Sequence, residues 1–333
     1  MSQAEVAFRY AGRSGLRVER GGVHLGLATT ERRTFVDGRA ERADLVGAAL
    51  LVVAHVAAAR YDTPEGAGVR LADPFVTTGD GAVRFESLSG CGRVAARLDL
   101  LPGGLELADH PAGTTNVELG PRVRELLGGV LPRDPVRLEV GAAGQTLIPP
   151  GARLHERRVM LPAHWVRTLA ELPALTAAMT VRAELGTRHA RSFVRSLPAD
   201  PSARQARPTR DTLRLVADTE ADAARPDAVL VAAPAALREL EPLLRHANAL
   251  RVWADAATGA SWWELDLPHA RLGVGMGLDP AGGEREAVVD HLAAAPDAAT
   301  GRLGYDLHDR RWYARRIPVG RDLLEPTDRT ATA

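Results

Sequence analysis

Hydrophobic and polar positions follow two different periods along this chain, and the switches between them mark its elements. Val83 and Phe85 alternate with Arg84 and Glu86, and Val94, Ala96, Leu98 and Leu100 alternate with Ala95, Arg97 and Asp99. A period of two predicts half-buried strands, joined here through Ser89-Gly90-Cys91-Gly92. Before them Thr77-Thr78-Gly79-Asp80-Gly81 predicts a tight turn, because Asp-Gly accepts the positive φ that a hairpin requires. Similar runs predict strands at 6–8, 23–27, 136–140, 156–161, 181–185, 212–217, 228–232, 250–253, 262–267 and 271–278.

Helical spacing takes over between them. It predicts helices at 40–60, from Pro121 (with Val123, Leu126, Leu127 and Val130 inward), from Pro162 (with Trp165, Leu169 and Leu172), at 187–196, at 234–247 and at 284–295. The stretch 45–59 is uncharged over fifteen residues. At about 1.5 Å per residue it is about 22 Å long, short of the roughly 30 Å of a bilayer's hydrocarbon, so it reads as a buried core helix.

The resulting order is α+β. Two mixed sheet-and-helix domains are expected, at 1–197 and 212–280, separated by a Pro-rich linker at 198–211. A short helix plus hairpin at 281–320 and a disordered polar tail at 321–333 complete the expectation. Helix followed by strands occurs in both halves, which makes a duplicated helix-plus-strands unit one reading. Such a repeat resembles sliding-clamp topology, a likeness of fold that says nothing of function.

Composition removes several chemistries. All 42 basic residues are arginine, so there is no phosphate-loop lysine, Schiff-base lysine or Ser–Lys dyad. A single cysteine, Cys91, excludes an intramolecular disulfide and a thiolate-rich metal site. With no apolar leader at the start and an unpaired cysteine, a soluble cytoplasmic protein is expected. The balance of 42 bases against 42 acids hides segregation. Residues 151–214 carry twelve arginines and five acids, 216–241 two arginines and six acids, and 302–321 six arginines and two acids. These blocks serve either as a field that orients a partner or as solvated faces meeting in intramolecular ion pairs.

Local chemistry is sparse. Cys91 lies in a glycine-flanked turn with no Cys–His signature beside it, so a structural turn cysteine is the main reading and a nucleophile the alternative. His155-Glu156 does not extend to a His-Glu-x-x-His pair, and Arg310 and Arg311 oppose a cation at Asp306, His308 and Asp309, so no metal is expected. Gly273, Gly275 and Gly277 mimic a dinucleotide fingerprint but fit better as one face of a strand whose other face is Leu272, Val274, Met276 and Leu278. A glycine face lets Trp262 or Trp263 approach the sheet closely. The sharpest polar feature is Arg310-Arg311-Trp312-Tyr313-Ala314-Arg315-Arg316. In a strand Arg311, Tyr313 and Arg315 share one face, and Arg310, Trp312, Ala314 and Arg316 the other. Guanidiniums interleaved with aromatics suit phosphate contact with base stacking, and equally cation–π packing at a protein interface.

Eight short motifs occur in register: FRYAGR at 8–13, RFESLSGCG at 84–92, ARLDLLP at 96–102, GTTNV at 113–117, FVRSLP at 193–198, PLLR at 242–245, SWWELDLP at 261–268 and GRLGYDL at 301–307. Together they resemble the N-terminal region of SWIM zinc-finger family proteins of high-GC bacteria, over about residues 4–320. In that family a Cys/His zinc module follows this region. Cys91 being the only cysteine, no zinc ligand transfers to this chain. The resemblance also implies a fuller winged-helix-like segment before 301–307, where this sequence supplies one helix. It implies, finally, gene neighbours encoding AAA-type ATPases and von Willebrand A-domain proteins, hence an accessory role. The expectation is a non-enzymatic protein-interaction scaffold without a cofactor. The alternatives are a nucleic-acid-binding module using the arginine-rich hairpin and an enzyme using Cys91.

Overall fold

The computed structural model describes residues 6–8, 15–19, 22–27, 34, 36–61, 74–79, 82–107, 113–117, 119–131, 136–141, 159–161, 172–173, 175–198, 202–217, 227–278, 301–306, 308 and 311–316. The helix expected from Pro162 lies outside the described residues up to 171, with Leu172 helical beyond it, and the helix expected at 284–295, the tail at 321–333 and Arg310 lie outside them altogether.

Among the described residues twenty strands form five sheets, and the fold is α+β. The strands are β1 (Val6–Phe8), β2 (Gly15–Glu19), β3 (Gly22–Leu27), β4 (Val36–Ala40), β5 (Phe75–Gly79), β6 (Ala82–Leu88), β7 (Val94–Leu100), β8 (Leu105–Leu107), β9 (Gly113–Asn116) and β10 (Val136–Val140). There follow β11 (Val159–Leu161), β12 (Thr180–Gly186), β13 (Arg204–Pro208), β14 (Leu213–Ala217), β15 (Val229–Val231), β16 (Ala249–Ala254), β17 (Ser261–Leu267), β18 (Ala270–Met276), β19 (Gly301–Asp306) and β20 (Arg311–Arg316). The helices are α1 (Ala43–Ala58), α2 (Pro121–Gly128), α3 (Thr187–Ser196) and α4 (Pro234–Arg238), with further helical residues at 172–173 and 175–178.

The organising element is an eight-stranded sheet in the order β12-β16-β17-β18-β7-β6-β5-β9. Five of its strands (β5, β6, β7, β9 and β12) come from 1–197 and three (β16, β17 and β18) from 212–280, joined where β12 pairs with β16 and where β7 pairs antiparallel with β18 from Leu100↔Ala270 to Val94↔Met276. The sheet therefore runs across the division at 198–211. The expected linker differs from what is observed as well. Arg204–Pro208 is β13, the central strand of the β14-β13-β15 sheet, with Gln205 and Ala206 buried. The Pro and Arg content that reads as linker is tolerated because Pro208 closes the strand, at its last register pair with Leu213.

One face of the large sheet is apolar. Val83 and Phe85 of β6, Ala96 and Leu98 of β7, Leu272 and Val274 of β18, Trp263 and Leu265 of β17, and Leu250 and Val252 of β16 all lie in one buried core. Helix α1 lies over β6 and β7, with Ser87 Oγ donating to the Val53 carbonyl at 2.7 Å. It is buried nearly all round because it also meets α2 and the 3-10 turn Glu241–Leu243. Helix α3 covers the other half through β12 and β16, stacking Phe193 on Trp263 with centroids 5.5 Å apart. The five-stranded sheet β2-β3-β10-β4-β8 contributes Leu25, Leu27, Val136, Leu138 and Val140 to the same core.

The helix expected over 234–247 is shorter. It ends at Arg238 and continues through i→i−3 bonds such as Leu243 N to Leu240 O at 3.0 Å. Pro242 has no N–H to donate to Arg238, so the α-helical ladder cannot pass it.

Candidate interaction surface

The second face of the eight-stranded sheet holds the unexpected chemistry. Register places Glu184, Arg251, Glu264, Gly273, Arg97, Glu86, Phe75 and Asn116 in one row across all eight strands. Acids and bases alternate along most of it. Arg251 Nε donates to Glu184 Oε2 at 2.9 Å, and Arg97 Nε donates to Glu86 Oε1 at 3.1 Å. One row away, Arg84 Nη2 donates to Asp99 Oδ2 at 3.0 Å. The hydrogen bond it donates to Glu184 raises the pKa of Arg251 despite partial burial.

This row corrects the expected half-burial of β6 and β7. Glu86 is 2% exposed, Arg97 4% and, on β17, Glu264 5%, so along this row the polar side is as buried as the apolar side, while Arg84 and Asp99 one row away stay partly exposed. Buried charges survive when they are paired, and here they are. At the end of the sheet beyond the row, Leu88, Ala95, Trp253 and Trp262 pack with Leu172, Leu175 and Met179 in a second apolar cluster.

Trp262 is the hinge between these two environments. As its alternation predicts, β18 presents Gly273 and Gly275 to this face, and the indole lies flat against them. A Cβ built on Gly273 would stand 2.3 Å from Trp262 Cζ2. Arg97 stacks over the ring at 4.9 Å, and the indole N–H donates to Glu264 Oε2 at 3.3 Å.

The C-terminal hairpin reaches the sheet through its turn. His308 Nε2 lies 2.7 Å from Glu264 Oε1, His308 Nδ1 lies 3.3 Å from Arg251 Nη1, and its ring meets Trp253 edge-on at 5.6 Å. A guanidinium only donates, so Nδ1 is the acceptor and Nε2 carries the proton given to Glu264. In that tautomer the imidazole satisfies both neighbours. The sequence offers His308 only beside Asp306 and Asp309, where Arg310 and Arg311 oppose a cation and no metal is expected. No group of three metal-ligating side chains occurs among the described residues. The signal that singles it out, a buried acid 44 positions away, is visible only in the fold.

Of the sequence-selected arginine and aromatic positions, Arg311, Trp312, Tyr313, Arg315 and Arg316 fall on β20, as expected for a hairpin strand. They pair with Asp306, Tyr305, Gly304, Arg302 and Gly301 of β19, in that order. Arg310 lies outside the described residues.

Cys91 sits in the β6–β7 turn, its Sγ 3.2 Å from Ser89 Oγ, and Gly92 takes φ 74° to close that turn. Nearby, His55 Nδ1 lies 2.7 Å from Glu239 Oε2. Burial, reinforced by the charges of Glu239 and Cys91, pushes the Tyr61 phenol well above its ordinary range.

A second histidine is clamped by cations. Arg42 Nη2 lies 3.3 Å from His246 Nδ1, and Arg245 Nε donates to His246 Nε2 at 2.8 Å. Burial and then the charges of Arg245 and Arg42 lower the His246 pKa, and Asp44 opposes them only in part. Burial pushes Asp44 upward, but the hydrogen bond and charge of Arg42, a backbone bond from Leu45 and the charge of His246 outweigh it, leaving its pKa below the ordinary value.

Finally, β12 is an edge of the large sheet, pairing only with β16 among the described residues. Val181 on it is 58% exposed, and the register shifts between Val181 and Ala183 in a bulge at Arg182. No helix among the described residues is long and apolar enough to cross a membrane.

No family model matches this chain, and no curated protein matches it. Among solved structures it is similar to the proliferating cellular nuclear antigen of Entamoeba histolytica, at 10% identity and a TM-score of 0.46, over 73% of this chain and 98% of that one.

Proposed function

We propose that the protein is a non-enzymatic interaction scaffold that receives an extended segment of a partner protein on β12. The observation that carries this reading is that β12 stands at the edge of the eight-stranded sheet among the described residues, with Val181 exposed upon it. An edge strand offers unused main-chain donors and acceptors, and a partner strand gains affinity from them and specificity from side-chain contacts. The bulge at Arg182 interrupts the ladder. That discourages long indiscriminate pairing and favours a short segment in one register. The resemblance to SWIM zinc-finger family proteins makes an AAA-type ATPase or a von Willebrand A-domain chain the first partner to test.

The experiment compares affinity capture of the tagged protein and of its Val181→Lys variant from the native cell. A charge at this exposed position leaves stability within about 0.5 kcal/mol of wild type. The variant is expected to lose a protein that the wild type retains, with an unchanged melting curve. An identical set of co-purifying proteins in the two samples would refute the reading.

A further inference from the structure

Strand β12 passes into helix α3 without a loop, Gly186 ending the one and Thr187 opening the other. Ala190, Phe193, Val194 and Leu197 are buried, a stripe at helical spacing that turns one side of α3 to the core. Arg188, Arg191 and Arg195 fall on the other side at i, i+3 and i+7, a second stripe about 10 Å long. Arg188 and Arg195 are exposed and Arg191 is half-buried. The helix carries no acid. Arg195 Nε donates to Glu241 Oε1 at 2.8 Å, but Arg188 and Arg191 have no acidic partner among the described residues. This arrangement costs stability. Like charges at i, i+3 and i, i+4 repel, and Arg188 stands in the first turn, where the helix dipole is already positive. An anion on the stripe reverses both signs.

We infer that the partner segment received on β12 is acidic where it leaves the strand, and that Arg188 and Arg191 bind its carboxylates. The inference rests on the reading of β12 as the docking edge and adds the chemistry of what docks there. A segment laid along Thr180–Gly186 runs out, at the Gly186 end, beside the first turn of α3. The acid of β12, Glu184, does not compete, because Arg251 Nε already donates to it at 2.9 Å.

Arginine forks bind carboxylates and phosphates alike, so other features select a polypeptide. A strand edge offers backbone bonds that another backbone completes. Phe193, the only Phe, Tyr or Trp of 180–198, is buried against Trp263 and offers no base a platform. The short stripe suits a short acidic run, whereas a strongly salt-dependent nucleic-acid site makes about 6–10 phosphate contacts.

The test is fluorescence anisotropy with the full chain and labelled peptides. One peptide alternates threonine and valine and ends in a run of glutamates, a second begins with that run, and each has a glutamine counterpart. One of the two glutamate orders is expected to bind about tenfold tighter than its counterpart at low salt, the advantage fading as salt screens it. Arg188→Gln/Arg191→Gln is expected to remove that advantage and leave the glutamine peptides unchanged. Arg210→Gln/Arg214→Gln takes the same charge from exposed positions of the β13–β14 hairpin and is expected to change affinity about twofold or less. Val181→Gln, which alters no charge, is expected to weaken glutamate and glutamine peptides alike by about tenfold. Melting curves establish that each variant folds. Equal binding of glutamate and glutamine peptides, with Val181→Gln still weakening both, would overturn this inference and leave the β12 reading standing. An unaffected Val181→Gln would overturn the β12 reading, and no binding by any peptide would overturn both. Equal losses in the two double-arginine variants would also overturn the inference. So would a DNA duplex binding tighter than the glutamate peptides, which assigns the stripe to nucleic acid.

Discussion

Trp262 offers the most demanding test of how the large sheet is built. Its ring lies against two glycines of β18, so Gly273→Ala inserts a methyl 2.3 Å from Cζ2, 2.5 Å from Cε2 and 2.6 Å from Nε1. The ring has nowhere to go. It is fully buried, with Arg97 stacked at 4.9 Å and its N–H given to the Glu264 carboxylate. Overpacking alone costs about 1–3 kcal/mol. Moving the ring also disturbs a hydrogen bond to a charged acceptor and a desolvated cation–π contact, each worth about 2 kcal/mol. The expected destabilisation is about 3–5 kcal/mol, read from urea unfolding followed by far-UV circular dichroism. In a Trp262→Leu background the same alanine finds room, and its cost is expected to fall to about 1 kcal/mol or less. Gly47→Ala is the opposite case. It lies in α1, where the nearest atom to a new Cβ is the Leu127 carbonyl oxygen at 3.5 Å. Removing a glycine from a helix interior at ordinary contact distance is expected to stabilise by about 0.5–1 kcal/mol. If Gly273→Ala cost under about 1 kcal/mol, or cost the same without the indole, the close-approach argument would be refuted.

Two further outcomes follow from the charged groups. His246 has a folded-state pKa below 6.5, so as pH falls the unfolded chain takes up its proton first, and stability declines in the window below that value. His246→Gln should flatten this decline when unfolding is compared at pH 5 and pH 7, and an unchanged slope would count against the cationic clamp. Arg97→Leu removes the ion pair from the buried Glu86 and should cost about 3–5 kcal/mol, whereas removing both in Glu86→Leu/Arg97→Leu should recover most of that loss. A double variant as unstable as the single one would show that the pair is no more than packing volume.

The alternating patterns of β6, β7, β16, β17 and β18 were legible because a half-apolar strand must be written with a period of two. Helix α1 was legible because it is apolar around its whole circumference. The close approach over Gly273 and Gly275 was readable for a related reason, since a glycine every second residue leaves one face without side chains. The β20 strand and the composition of its faces likewise needed only local alternation. None of these requires knowing what lies across the chain.

What the sequence by itself determined is therefore the α+β character, most strand and helix positions, and the two-faced hairpin. Only the tertiary structure decided the rest. Strand order placed β7 against β18 and so made one sheet of two expected domains. It turned Arg204–Pro208 from linker into a central strand. It also aligned Glu184, Arg251, Glu264, Arg97 and Glu86 in a row and set His308 upon it. The physical reason is common to all three. A strand's side-chain period is local, but its backbone hydrogen bonds are completed by whichever neighbour the whole chain supplies. Alternating Arg and Glu on a strand reads as a solvated face until that neighbour brings the opposite charge and removes the water.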